Sequence, residues 1–266
     1  MISSTIGTVS ASSRGTATAA AAANTDSAWA DISTSTPIAA TAFILNVQGG
    51  SASYTATYNL DIGIWNGSAY VEIVPNALIS TDQWSGHSGV ALQIPIAIPK
   101  GSRIGARQRS SHASAWLHVS ITLINNERQS MRAGKTITLG AVTATSRGTI
   151  IDPGAVAHTK GAWVDLDTST AATMQGFFIL IGNGGASKTS QAYNLLDIGI
   201  WDGSAYVVIL ADWQTAVDAD AELYLPNYSP LIEFPIPKGS RIGARNQSSI
   251  TTATVRAFDL VLLGVC

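Results

Sequence analysis

Few side chains in this 266-residue chain are of types that do chemistry, and most of them lack the spacing that chemistry needs. Four histidines, His87, His112, His118 and His158, are scattered without a ligand-like interval, and the single cysteine is Cys266, so no metal site is expected. Gly134-Lys135-Thr136 ends like a phosphate loop, but Gln129 stands where the motif needs its first glycine and a strand is expected to follow. Gly86-His87-Ser88-Gly89 sets a serine beside a histidine without the spacing of a nucleophile elbow. Asp218, Asp220 and Glu222 alternate and could offer three carboxylates to a calcium ion, although a solvated loop leading into a strand is the preferred reading. Paired carboxylates, which glycoside hydrolysis requires, are not duplicated beyond Asp61 and Asp197, one in each half. On these grounds the chain is expected to be no enzyme and to carry no cofactor.

A second set of residues stands out because it occurs twice. Pro99-Lys100-Gly101-Ser102-Arg103-Ile104-Gly105-Ala106-Arg107 returns unchanged at positions 237–245. Asp61-Ile62-Gly63-Ile64-Trp65 and Gly67-Ser68-Ala69-Tyr70-Val71 return at 197–201 and 203–207. Ser13-Arg14-Gly15-Thr16 matches positions 146–149, and Ala28-Trp29 with Asp31 matches Ala162-Trp163 with Asp165. The interval between copies grows from 133 residues at Arg14/Arg147 to 136 at Asp61/Asp197 and 138 at Arg103/Arg241, as it does when only loops vary. The repeated residues have two readings. Arg103, Arg107, Arg241 and Arg245 could grip an acidic partner or a sugar, or could pair with Asp61 and Asp197 on a neighbouring strand; retention of both members favours pairing. Trp65, Tyr70, Trp201 and Tyr206 flank a turn, where they could stack on sugar rings or brace the hairpin as cross-strand pairs.

The elements that must position these residues are strands. Leu60, Ile62 and Ile64 alternate with Asp61, Gly63 and Trp65, and Val71 and Ile73 alternate with Tyr70 and Glu72. Asn66-Gly67 and Asp202-Gly203 between these runs predict hairpin turns. Pro99 and Pro237, read as second turn positions with glycine two places on, predict type I turns, each followed by a strand. Ala42 to Val47, Phe177 to Ile181, Trp116 to Leu123 and Val255 to Leu263 read as further strands. Helical signals are nearly absent; the run Ala19 to Ala23 is matched in the other copy by Ile151-Asp152-Pro153-Gly154, which cannot be helical. The prediction is an all-β chain of two tandem, homologous, jelly-roll-like β-sandwiches. Repeat 1 covers residues 1–125, a polar linker 126–134, and repeat 2 residues 135–266.

Charged residues make up 12% of the chain and hydrophobic residues 46%, with a mean hydropathy of +0.22. So neutral a surface, without a membrane-length apolar run, predicts area covered by other subunits, and a homo-oligomer, with a trimer as the guess. A net charge of −2 without a polybasic stretch argues against nucleic acid, and no membrane partner is expected. The start Met1-Ile2-Ser3-Ser4 has no basic region or secretory apolar segment, which predicts synthesis in the cytoplasm.

The blocks 61–65, 67–70 and Ile98 to Ile104 resemble segments of structural proteins of tailed bacteriophages, whose repeated β-sandwich modules decorate heads or form spikes and tail fibres. That resemblance implies a virion component, assembled in the host cytoplasm, whose partners are the major capsid protein or copies of itself. A capsid decoration or head-spike protein is the first expectation. A tail or baseplate protein that binds a host surface glycan, or a free lectin, is the alternative.

Overall fold

Period-two alternation produces strands almost throughout the computed structural model, which describes residues 2–10, 13–19, 22–49, 56–81, 89–113, 115–126, 133–143, 145–183, 189–217 and 224–266. The strands are β1 Ile2–Ile6, β2 Val9–Ser10, β3 Ser13–Arg14, β4 Thr16–Ala19, β5 Ala30–Ser33, β6 Ala42–Gly49, β7 Ala56–Trp65, β8 Tyr70–Thr81, β9 Gly89–Ile94, β10 Ile104–Ser110 and β11 Trp116–Asn125. They continue as β12 Thr136–Leu139, β13 Thr149–Ile151, β14 Val164–Asp167, β15 Gly176–Gly182, β16 Ala192–Trp201, β17 Tyr206–Val217 and β18 Ile242–Ser248; a four-residue helix, α1 Ala253–Arg256, precedes β19 Phe258–Val265. The chain is all-β, two tandem homologous sandwiches of jelly-roll type. It divides into two compact units, Met1–Ile137 with Val265–Cys266, and Thr138–Gly264.

In the first unit one sheet runs β1-β11-β6-β9, with β4 also on β11, and the other runs β5-β10-β7-β8. The second unit repeats the plan as β12-β19-β13, with β15 on β19, and β14-β18-β16-β17. Pairing between these strands is antiparallel, and the register of β7 on β10 (Asp61 with Arg107, Gly63 with Gly105) is that of β16 on β18 (Asp197 with Arg245, Gly199 with Gly243). Where the first unit has β9, the second has isolated bridges, Phe177 with Ile232 and Leu180 with Tyr228, because Pro230 lies between them and cannot donate to a ladder.

Alternation divides most strands between the core and the opposite face of their sheet, while β15 and β19 are buried along their whole length. Leu60 and Ile62 of β7 are buried with Phe43, Leu45 and Val47 of β6 and Leu117, Val119 and Ile121 of β11; the second unit buries Leu196, Ile198, Phe177, Ile179, Phe258, Leu260 and Leu262. Asp61, Gly63 and Trp65, and their counterparts Asp197, Gly199 and Trp201, take the other face of the strand.

Three local expectations change. Trp65 pairs directly with Tyr70, so the hairpin loop holds four residues, Asn66 to Ala69, instead of a tight two-residue turn. The Asn66 Oδ1 stabilises this longer loop by accepting the amides of Ser68 and Ala69, both at 3.0 Å, and only Gly67, at φ 105°, needs the left-handed region. Pro99 is the first turn residue and not the second: its carbonyl accepts the Ser102 amide, and Gly101 at φ 83° supplies the positive φ of a type II turn, in place of the type I expected. Val255 and Arg256 lie in α1, and β19 begins only at Phe258. The two compact units meet inside β12, at Ile137/Thr138. Ala133 to Lys135 are tied to the first unit: Ala133 donates to Pro95 at 2.7 Å, Gly134 donates to the Cys266 carbonyl, and Cys266 donates back to Lys135. Of the expected linker, residues 127–132 lie outside the described ones.

Candidate functional site

The duplicated residues converge on the outer face of the sheet β5-β10-β7-β8. Gly63 and Gly105 stand opposite each other on β7 and β10, leaving a bare strip of backbone. Two rings lie on that strip. A Cβ at Gly63 would come within 2.9 Å of the Trp29 ring, and one at Gly105 within 2.7 Å of the Tyr70 ring. Trp29 and Tyr70 stack on each other with centroids 4.8 Å apart and planes 24° apart, and Trp65 meets Tyr70 edge-on at 5.3 Å. The Arg103 guanidinium lies over Trp65 at 4.8 Å and near Tyr70 at 5.6 Å, and that of Arg107 lies over Trp29 at 5.0 Å. The result is a ladder of alternating rings and guanidinium groups.

Carboxylates fix the ladder at each step. Asp31 accepts both Nε and Nη2 of Arg103 at 2.8 Å and also the Tyr70 hydroxyl. Arg103 and Tyr70 together hold the Asp31 carboxyl below the ordinary carboxylate value, while burial, reinforced by Asp31, pushes the Tyr70 hydroxyl up. Asp61 accepts Arg107 Nε at 2.7 Å with one oxygen and, with the other, the amide of Asn76 at 2.7 Å. That amide comes from a bulge in β8, where the register of β7 on β8 shifts beside Asp61 and Asn76 adopts φ 49°. Arg107 also reaches Glu72 at 2.5 Å.

The second unit rebuilds the ladder from Trp163, Asp165, Gly199, Trp201, Tyr206, Arg241, Gly243 and Arg245. Trp163 stacks on Tyr206 at 4.7 Å and 24°, Arg241 covers Trp201 at 4.7 Å, and Arg245 covers Trp163 at 4.7 Å. Burial and the Asp165 carboxylate push the Tyr206 hydroxyl up to about 12. Asp197 takes Arg245 at 2.9 Å and the bulge amide of Asp212 at 2.9 Å. Burial would raise the Asp197 carboxyl, but Lys160, the Asp212 amide and Arg245 outweigh it and hold it low. Here the units differ. Lys160 occupies the position of Asp26 and bridges Asp197 at 2.6 Å to Asp212 at 2.7 Å, whereas Asp26 binds Arg109. Val208 occupies the position of Glu72, so Arg245 has no counterpart to that carboxylate.

The structure thus brings all ten repeated residues singled out in the sequence into two equivalent clusters. Arg107 meets Asp61 and Arg245 meets Asp197, but Arg103 and Arg241 take Asp31 and Asp165 instead, because β5 and β14 flank the other side of their strands. Tyr70 and Tyr206 are engaged by a neighbouring tryptophan and a carboxylate, and Trp65 and Trp201 each carry an arginine on one face. Trp29, Asp31, Trp163 and Asp165 complete the ladders; their recurrence as a pair was the signal that could have marked them. Asp31, Asp165 and Asp197 are held low by their cationic partners and the Tyr70 and Tyr206 hydroxyls are pushed up, which keeps each group tied to its partner near neutral pH. Of the isolated motifs, His87, Asp218, Asp220 and Glu222 lie outside the described residues. His118 packs edge-on against Trp116, and Thr136 hydrogen-bonds the Ile73 carbonyl. No group of three or more His, Cys, Asp or Glu able to hold a metal occurs among the described residues.

No family model matches the chain, and no curated protein does. Among solved structures it is similar to the CBM22-1-CBM22-2 tandem domain of Paenibacillus barcinonensis Xyn10C, at 11% identity over 86% of this chain and 79% of that one, with a TM-score of 0.25. It is also similar to PNGase F, a glycosylasparaginase from Flavobacterium meningosepticum, at 10% identity over 100% and 96% with a TM-score of 0.39, and to the STIV MCP at 10% over 93% of each with a TM-score of 0.29. Likenesses this distant transfer no activity and no ligand. One expectation is corrected by them: an enzyme that spans the chain end to end is among its structural likenesses, so the statement that the chain is no enzyme is withdrawn.

Proposed function

We propose that this chain is a structural component of a tailed-phage virion, a capsid decoration or head-spike protein that docks on the major capsid protein or on copies of itself. The observation that carries this reading is the edge strand β17. It ends the sheet β14-β18-β16-β17, and Tyr206-Val207-Val208-Ile209-Leu210-Ala211 runs along it without a charge, Val207 being 52% and Val208 39% exposed. An uncharged apolar edge is a template for pairing with another chain, and a protein that stays alone guards such edges with charge or proline. The first unit has that guard: Glu72 stands at the position of Val208 and Pro75 at that of Ala211, in the edge strand β8. The neutral surface and the resemblance of the duplicated blocks to phage β modules agree with one unit kept from self-pairing and the other free to pair. The duplicated ladders suit this role, since each stitches four strands of one sheet together from outside the core.

The test is the mass of the full chain by light scattering, alone and after mixing with purified phage heads. A stable oligomer, a trimer on this reading, that co-sediments with heads at high salt supports the proposal. A monomer that stays off heads overturns it.

A further inference from the structure

We infer that the second unit carries a binding groove for a neutral oligosaccharide on the outer face of β16, β17 and β18, beyond the assembly role and independent of it. The groove has a volume of about 560 Å³, within the range of small-ligand sites. Tyr193, Leu195, Gln214 and Gln247 form its floor, Leu225 one wall and His158 the other. Three observations define what fits there.

The first is charge. Among the described residues, none that lines the groove is an aspartate, glutamate, lysine or arginine. Lys160, which reaches the Leu195 carbonyl at 3.1 Å, is occupied by Asp197 and Asp212 at 2.6 and 2.7 Å. Among the described residues a phosphate, a nucleic acid or an acidic glycan would find no free cationic partner in the lining. The second is the mixture of surfaces. Tyr193 is 58% exposed and Leu225 62%, beside the amides of Gln214 and Gln247 and the hydroxyl of Ser249. Apolar ring faces edged with hydroxyls, as pyranoses present, match an aromatic floor edged with amides. The third is that the wall is closed to an added strand. Ala216 and Leu225 exchange both backbone hydrogen bonds, at 2.9 and 2.7 Å, so an extended peptide cannot pair with β17 there.

The same place in the first unit is lined differently. Thr57, Asn59 and Leu78 stand where the second unit has Tyr193, Leu195 and Gln214, each 2% exposed, and Arg109, bound to Asp26, stands where it has Gln247. The turn that forms the His158 wall is nevertheless common to both: the amides of Asn24 and His158, both in the left-handed region, donate to Ser110 and Ser248 at 2.8 Å. The scaffold is shared and the open, uncharged surface belongs to one copy.

The experiment is calorimetric titration of the full chain with linear oligosaccharides of glucose, mannose, galactose and N-acetylglucosamine, each to concentrations on the order of 10 mM. One series is expected to bind saturably. Tyr193→Ala should weaken it at least tenfold and Gln247→Ala several-fold, while Tyr193→Phe retains it; an unchanged melting temperature for Tyr193→Ala separates a lost contact from a lost fold. Absence of binding by all four series overturns the inference. So does binding that survives Tyr193→Ala but is lost in Trp65→Ala or Trp201→Ala, and so does capture of neutral peptides where no sugar binds.

Discussion

Replacing Gly105 with alanine adds one methyl group to the outer face of the first sandwich, and its effect can be worked out from the ladder. The new Cβ would stand 2.7 Å from Cε1 and Cζ of Tyr70 and 3.1 Å from its hydroxyl oxygen. The ring cannot slide away, since Trp29 is stacked on it and Trp65 meets it edge-on with Arg103 alongside. It must leave the stack or push the strand. Leaving loses a hydrogen bond to an ionised carboxylate, about 1.5–3 kcal/mol, and ring contacts of about 0.5–1.5 kcal/mol. Partial exposure of the site reduces both, and the smaller entropy of the unfolded alanine chain offsets about 0.5 kcal/mol. The expected net loss is about 2 kcal/mol, a fall of roughly 6–10 °C in the melting temperature of that unit. Urea unfolding followed by tryptophan fluorescence, with the two units' transitions fitted separately, measures it. Because the loss is routed through one ring, Gly105→Ala should be nearly neutral in a Tyr70→Ala background. Equal losses in both backgrounds would refute the ladder as the cause.

Four further outcomes are expected. Tyr206 is raised to about 12, so its contribution is complete below the unfolded tyrosine value near 10 and is lost as pH rises through 12; the alkaline fall in stability should flatten in Tyr206→Phe. Asp165 is held low by Arg241 and then Tyr206, so its contribution is present above pH ~4 and disappears on further acidification, a dependence that Asp165→Asn should remove in an acid titration. Asp197→Ala strips a buried acceptor from Lys160, Arg245 and the Asp212 amide and should destabilise the second unit by about 3 kcal/mol in denaturant unfolding. Val208→Lys places a charge on the β17 edge and should reduce self-association in light scattering while leaving the melting temperature of the monomer within a degree or two.

What could be read before the structure follows from how far each signal reaches along the chain. The strands β7, β8 and β10 are visible because alternation is local, and the duplication shows in identical blocks. The arginines, aspartates and aromatic residues of the ladder were visible as a repeated set. Which carboxylate each arginine takes was not, because Arg103 and Asp31 lie 72 residues apart and meet only through the pairing of β5 with β10. The Pro99 turn was misassigned because Gly101 satisfies two turn types in sequence and only its positive φ separates them. The Tyr193 groove had no signal at all. Thr57 stands at the equivalent place in the first copy, so the repeat did not mark it, and its wall comes from Leu225, met across β17.

The facing glycine pairs also bear on engineering. A one-residue slip of β7 on β10 would put a side chain under Trp29 or Tyr70 and carry Asp61 away from both Arg107 and the bulge amide, so the ladder works as a ratchet with a single tooth position. Length changes are therefore excluded from the blocks and admitted between them, and the growth of the repeat interval from 133 to 136 to 138 residues records where they were accepted: between Arg14 and Asp61, and between Asp61 and Arg103. The loops within those two intervals, outside the repeated blocks and the ladder residues, are where a foreign epitope could be spliced in for display with the sandwich beneath it undisturbed.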